Sequence, residues 1–214
     1  MDGGSDWVAN SGRYSLDFDG SNDYVSSTSL GVNTTSRTVS CWFRTTQVLS
    51  DGQYMVVIGW GAASAGAACY VYVGSDSAAG VGPNGFGVTQ FGASAGSAVA
   101  VNTGNWTHGA MVNQGTTWTT YINGVQVGSK TMTAAPASGA TVSIGRWPFG
   151  TPLSTNANFA GQLDDIRIYN RIVSVNEIRT LASRRGISYE LSPRRRSSSA
   201  VQFNRRRRLL VGAH

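Results

Sequence analysis

The arrangement of apolar and polar positions along the chain is that of a β protein. In Thr38-Val39-Ser40-Cys41-Trp42-Phe43-Arg44, Val39, Cys41 and Phe43 fall on one face, with Ser40, Trp42 and Arg44 on the other. Such alternation predicts a half-buried strand. Residues Tyr54–Trp60 are almost continuously apolar and predict a strand covered on both faces; Cys69–Val73 predicts another. Tyr14–Phe18 predicts an early strand, closed by Asp19-Gly20-Ser21-Asn22-Asp23, a run of turn-forming residues. Gly109–Asn113 and Thr117–Ile122 follow, and Asn123-Gly124 before Val125-Gln126-Val127 is a strong hairpin signal. Thr141–Gly145 predicts a further strand. Elsewhere between Gly59 and Gly104 small residues dominate and strand positions are not defined. Turn signals at these intervals predict a sandwich of roughly ten to twelve strands.

One late stretch breaks the pattern. Ile166 and Ile168 alternate with Arg167, but Leu163 is out of phase with them across Asp164 and Asp165. A strand that changes phase bulges, and a bulge re-aims side chains. Ser174-Val175-Asn176-Glu177 then has the form of a helix capping box. Ile178 and Leu181 give that helix one apolar edge, and at about two turns it needs packing on the sandwich to persist.

Composition supports an all-β domain in this chain of 214 residues: charged residues make up 13% and Gly contributes 27 positions. Charge is divided unevenly. Residues 1–183 carry 8 Lys and Arg against 10 Asp and Glu, whereas residues 184–214 carry 9 Arg against one Glu. The basic pI of 9.7 therefore belongs to the carboxyl-terminal segment. MDGGSDWVANSG has no apolar core of the kind a secretory signal needs, and no apolar run reaches the ~18 residues of a membrane span. Cys41 and Cys69 lie in apolar, strand-like surroundings and read as buried thiols; a disulfide is the alternative, which geometry decides.

Three segments resemble one family. Tyr14 to Val25, Asn105-Trp106-Thr107-His108 with Thr117 to Gly124, and the run GQLDDIRIYNRIVSVNEI are similar, in order and spacing, to laminin-G-like (concanavalin A-like) jelly-roll domains. The resemblance implies two antiparallel sheets over residues 14–183, preceded by an arm at 1–13 and followed by a tail at 184–214. Trp7 in the arm would dock on its own sandwich or on a neighbouring subunit of a homo-oligomer. The family often binds calcium where the first turn meets the last strand, which implies a structural calcium at Asp19, Asp23 and Asp165 beside Asp164. The alternative reading has Asp19 and Asp23 capping their own turn and Asp165 paired with Arg167 or Arg171.

Glycosidases on this fold use paired Glu residues. Here Glu177 reads as a cap and Glu190 lies in the tail, so no enzymatic activity is expected. Glycan binding through stacked aromatics is expected at Trp147, Trp118 and Tyr121, with Trp60, Phe86 and Phe149 as further candidates.

The tail interleaves Arg194, Arg195, Arg196 and Arg205, Arg206, Arg207, Arg208 with Phe203, Leu209 and Leu210. Arg makes bidentate bonds and tolerates partial burial. The segment therefore reads as a docking strap for an acidic protein surface, or as a phosphate-binding contact with nucleic acid. It resembles tails of bacteriophage structural proteins. The expectation is a capsid decoration protein, anchored on a major capsid protein or another virion protein and presenting the sandwich outward. A free carbohydrate-binding module and a tail-fibre adhesin are the alternatives.

Overall fold

The computed structural model describes residues 7–10, 13–27, 35–61, 67–90, 92–132, 141–148 and 157–185. The alternating segments pair into two antiparallel sheets. Seven strands form one: β1 (Trp7–Asn10), β2 (Arg13–Asp19), β4 (Ser36–Arg44), β9 (Thr107–Gln114), β10 (Thr117–Ile122), β11 (Val125–Thr131) and β13 (Ala160–Tyr169). Their spatial order is β1-β2-β13-β4-β9-β10-β11. The other sheet holds β3 (Val25–Ser27), β5 (Tyr54–Gly61), β6 (Ala68–Asp76), β7 (Val81–Thr89), β8 (Ser94–Gly96) and β12 (Val142–Ile144), ordered β3-β12-β5-β6-β7-β8. The second and last strands, β2 and β13, thus meet side by side, Ala160 opposite Asp19 and Leu163 opposite Leu16. Residues 7–10, expected in an extended arm, instead pair with β2; an arm and an edge strand share the same extended backbone and differ only in the partner.

The main core fills the space between the sheets. Val39, Cys41 and Phe43 enter it from β4, as their alternation requires, and meet Val71, Val73, Phe86 and Val88 from the opposite sheet. The Phe43 and Phe86 rings stack at 5.5 Å. Gly109 makes room for them, since a Cβ there would lie 2.5 Å from the Phe86 ring. Cys41 and Cys69 are free and buried, and burial pushes both thiols up to about 12. They are packing residues with no thiolate available for chemistry.

The phase break in β13 is a bulge. Asp164 pairs with Trp42 but Arg167 pairs with Ser40, so one residue is accommodated out of register. Asp165 takes the left-handed conformation, φ +48°, which Asp tolerates better than most residues. Its carboxylate forks onto Arg167, at 2.6 Å to Nε and 3.0 Å to Nη2.

The helix α1 (Val175–Ser183) opens with both halves of the capping box: the Ser174 hydroxyl accepts from the Glu177 amide and the Glu177 carboxylate accepts from the Ser174 amide. Its buried edge, Ile178 and Leu181, packs with Val173 on Ala110, Val112 and Tyr121. The helix therefore covers the outer face of the seven-stranded sheet, and the Trp42 indole donates to the Leu181 carbonyl at 3.3 Å. The outer face of the six-stranded sheet carries no helix among the described residues.

Candidate functional site

That face, over which Trp147 and Ala157 pack, carries its own aromatic cluster. Along β6, Val71 and Val73 point into the main core while Tyr70 and Tyr72 point outward. Tyr54 on β5 joins them, its ring 5.5 Å from Tyr70 and 6.0 Å from Tyr72. Trp147 closes the group at 5.1 Å from Tyr70 and 5.6 Å from Tyr54. The cross-strand partner of Tyr72 is Gly87, and a Cβ there would lie 2.7 Å from Tyr72 Cζ. The phenol lies over the neighbouring strand because that strand presents no side chain at this point.

Beside the rings the surface opens into a cavity of about 490 Å³ whose rim is built from acids and hydroxyls. Asp51 lies in the turn before β5; its carboxylate accepts from Ser75 Oγ at 2.7 Å, from Ser77 Oγ at 2.5 Å and from the Ser77 amide at 3.2 Å. The bond from Ser77, then that from Ser75, holds this carboxyl at about 2, below the usual carboxylate range. Asp76 ends β6 and caps the short 3-10 turn Ser77–Ala79, accepting from the Ala79 amide at 3.2 Å. Its other oxygen accepts from Ser94 Oγ at 2.6 Å. Burial raises the pKa of Tyr70 and Tyr72, so both remain neutral phenols. The Tyr72 hydroxyl is buried and faces Ser94. A cavity combining aromatic surface with a few fixed polar groups is the ordinary form of a small-ligand site.

Of the aromatics expected to stack on sugars, Trp147 lies in this cluster and the others that are described lie elsewhere. Trp118 is fully buried in the main core, with the Arg37 guanidinium 5.2 Å from its ring centre. Tyr121 is sealed under α1. Trp147 belongs to the cluster beside the cavity and is as buried there as its neighbours, 3% exposed against 2% for Tyr72 and 6% for Tyr70. Trp60 and Phe86 are core residues, and Phe149 lies outside the described residues. Closeness to glycine-rich turns is a poor sign of exposure, because an aromatic ring is drawn into the nearest apolar layer. The tyrosines missed by that reasoning carried a subtler signal: Tyr70 and Tyr72 share parity on a strand whose intervening valines already fill the core.

The three acids expected to hold calcium do not converge. Asp19 caps its own turn, accepting from the Ser21 amide at 2.7 Å and the Asn22 amide at 3.3 Å, while Asp23 accepts from the Asp19 amide at 2.9 Å. Asp165 lies five residues beyond Ala160, the partner of Asp19, and so about 17 Å along the strand. Both of its oxygens already face the Arg167 guanidinium. Among the described residues no group of three acid, histidine or cysteine side chains is placed to hold a metal. The trio does not fit calcium, which requires oxygens from every direction at 2.3–2.6 Å.

Other ionisable groups are committed to structure. Glu177 is held at about 2 by Arg171, which it meets at 2.7 Å. His108 is almost fully buried against Trp42, and desolvation lowers it to about 4. The tail residues Arg194, Arg195, Arg196, Phe203, Arg205, Arg206, Arg207, Arg208, Leu209 and Leu210 lie outside the described residues. The approach to the tail is described: Arg185 stacks 3.8 Å over the Trp106 ring and reaches Asp164 at 3.5 Å. Trp106 also neighbours Arg44, where β4 ends and β9 begins in the sheet that carries α1. The basic segment thus starts on the side of the sandwich opposite the tyrosine cavity.

The profile of a domain family described as the concanavalin A-like lectin/glucanases superfamily matches residues 19–179. No curated protein matches the chain in sequence. Among solved structures, domain 4 of an extracellular arabinanase from Geobacillus stearothermophilus, in complex with arabinotriose, is similar at 19% identity. It has a TM-score of 0.61, with 82% of this chain and 80% of that one covered. A heptameric SAP-like pentraxin from Limulus polyphemus is similar at 17% identity and TM-score 0.58, over 78% and 80% of the two chains. Mouse laminin α1 domains LG4-5 are similar at 18% identity and TM-score 0.54, over 75% and 44%.

Proposed function

The chain belongs to the concanavalin A-like lectin/glucanases superfamily, and from that premise we propose that it is a non-enzymatic glycan-binding domain whose sugar site is the tyrosine cavity on the six-stranded sheet. The observation carrying this reading is the juxtaposition of the half-buried Tyr54 ring, backed by the buried Tyr70 and Tyr72, with the hydrogen-bonding rim of Asp51, Ser75, Ser77 and Ser94. A pyranose or furanose ring presents an apolar C–H face and a girdle of hydroxyls, and needs both kinds of surface. The arabinanase domain that shares this fold is named in complex with an oligosaccharide, which supports the reading by analogy. Binding to an oligosaccharide array should be detectable and should be lost in Tyr72→Ala; binding that persists unchanged in a folded Tyr72→Ala would place the sugar elsewhere.

We further propose that residues 184–214 fasten this domain to an acidic protein surface on a virus particle, as a capsid decoration. Arg185 at Trp106 and Asp164 supports that orientation, since the described start of the basic segment lies on the sheet that carries α1 and not on the cavity face. Co-sedimentation with capsids across a salt series should require residues 184–214 and survive moderate salt. Steeply salt-dependent binding to nucleic acid in its place would identify a phosphate contact.

A further inference from the structure

The cavity also specifies the kind of sugar, through the direction of its hydroxyl protons. A carboxylate can only accept hydrogen bonds, and Asp51, held at about 2, is ionised at neutral pH. Ser75 and Ser77 must therefore spend their protons on Asp51, and Ser94 spends its proton on Asp76. Thr89 likewise donates inward, to the Ala93 carbonyl at 3.1 Å. The three serine hydroxyls therefore keep lone pairs, and not a proton, for an occupant, whereas Thr89 also meets the Tyr70 hydroxyl. Asp76 retains acceptor capacity, since a carboxylate offers about four lone-pair sites and two are used here. No Lys, Arg or His stands among the described residues lining the cavity.

Resting on the reading of this cavity as the sugar site, we infer that it selects uncharged glycans by accepting hydrogen bonds from their hydroxyls, and rejects sugars bearing carboxylate, sulfate or phosphate. A neutral sugar is rich in O–H donors and matches a rim of acceptors. An acidic sugar brings acceptor-only oxygens and a negative charge to two carboxylates, with no cation to compensate. Like charges brought together in a partly desolvated site are strongly disfavoured. Beneath this rim the Tyr72 phenol, 2% exposed, faces Ser94 and forms part of the cavity floor. A bare cation would also suit an acceptor rim, but the aromatic wall beside it favours the C–H face of a sugar.

The test uses the full chain and a printed set of matched oligosaccharides, each neutral core beside its sialylated, sulfated and uronic-acid counterparts, with and without EDTA. Neutral members should bind, their acidic counterparts should bind at least about tenfold more weakly, and EDTA should change neither. Asp76→Asn, which keeps a competent cap and exchanges acceptor for donor capacity, should narrow that gap. Acidic members binding as well as neutral ones, with loss in Tyr72→Ala, would overturn the selectivity while leaving the cavity as the site. Binding abolished by EDTA would overturn direct hydroxyl readout in favour of a bridging metal. Binding indifferent to Tyr72→Ala would remove the site itself and this inference with it.

Discussion

Gly87→Ala is a one-methyl test of how the cavity is shaped. The added Cβ would lie 2.7 Å from Tyr72 Cζ and 2.8 Å from its hydroxyl oxygen. Comfortable contact needs about 3.5 Å or more, so the tip of the phenol must retreat by about 1 Å. Tyr54 and Tyr70 already flank the ring at 6.0 and 5.9 Å between centroids, so retreat in their direction disturbs the aromatic wall. Overpacking of this size costs ~1–3 kcal/mol, offset by the ~0.5–1 kcal/mol that Ala gains over Gly in a strand. The net loss of about 1 kcal/mol lowers the melting temperature of a chain this size by about 2–4 °C. Thermal denaturation and glycan titration should both register the change. In Tyr72→Ala the obstructing ring is absent, so Gly87→Ala on that background should cost nothing further; such non-additivity reports direct contact. Equal effects of Gly87→Ala in both backgrounds, or no effect on binding in either, would refute the placement of this ring over β7.

Three further outcomes test the frame around the site. Ile178→Ala empties a fully buried position under α1 and should cost ~2–5 kcal/mol in denaturant unfolding; a loss below about 1 kcal/mol would mean the helix is not docked as described. Ser174→Ala removes one half of the capping box and should cost about 1 kcal/mol, while the Glu177 half, held at about 2, supplies stability above pH 4.5 that is lost as pH falls toward 2. His108, lowered to about 4 from 6.5, binds its proton more readily in the unfolded chain. Stability should therefore be full above about pH 6.5 and fall by up to about 3 kcal/mol between there and pH 4, and His108→Leu should flatten that slope.

The fold was legible because its signals are local and periodic. Alternation in β4, the Asn123-Gly124 hairpin and the Ser174 capping box each depend on a few adjacent residues. The bulge was equally legible, since two acids interrupting an isoleucine alternation cannot all keep one face, and the structure resolves the conflict through Asp165 at φ +48°. The site was less so. Which aromatics face outward depends on what the opposite sheet and α1 cover, and those contacts join residues far apart in the chain: Trp118 is claimed by Arg37, and Tyr121 by Ile178 and Leu181. The expected calcium trio failed for a metric reason. Adjacent strands bring Asp19 beside Ala160, and the five further residues to Asp165 carry its carboxylate out of reach. The hydroxyl-proton pattern of the cavity has no sequence signature, because it arises from three separate turns meeting over one face.

Chemical-shift mapping of the isotope-labelled full chain during titration with a neutral oligosaccharide from the array tests the sugar site most directly. Shifts should gather at Asp51, Tyr54, Tyr72, Ser75, Ser77 and Ser94, and leave α1 and the Trp106–Arg185 contact unmoved. Shifts centred on the groove between β13 and α1, which Arg167, Tyr169 and Asn176 line, with the tyrosine cavity silent, would contradict the assignment.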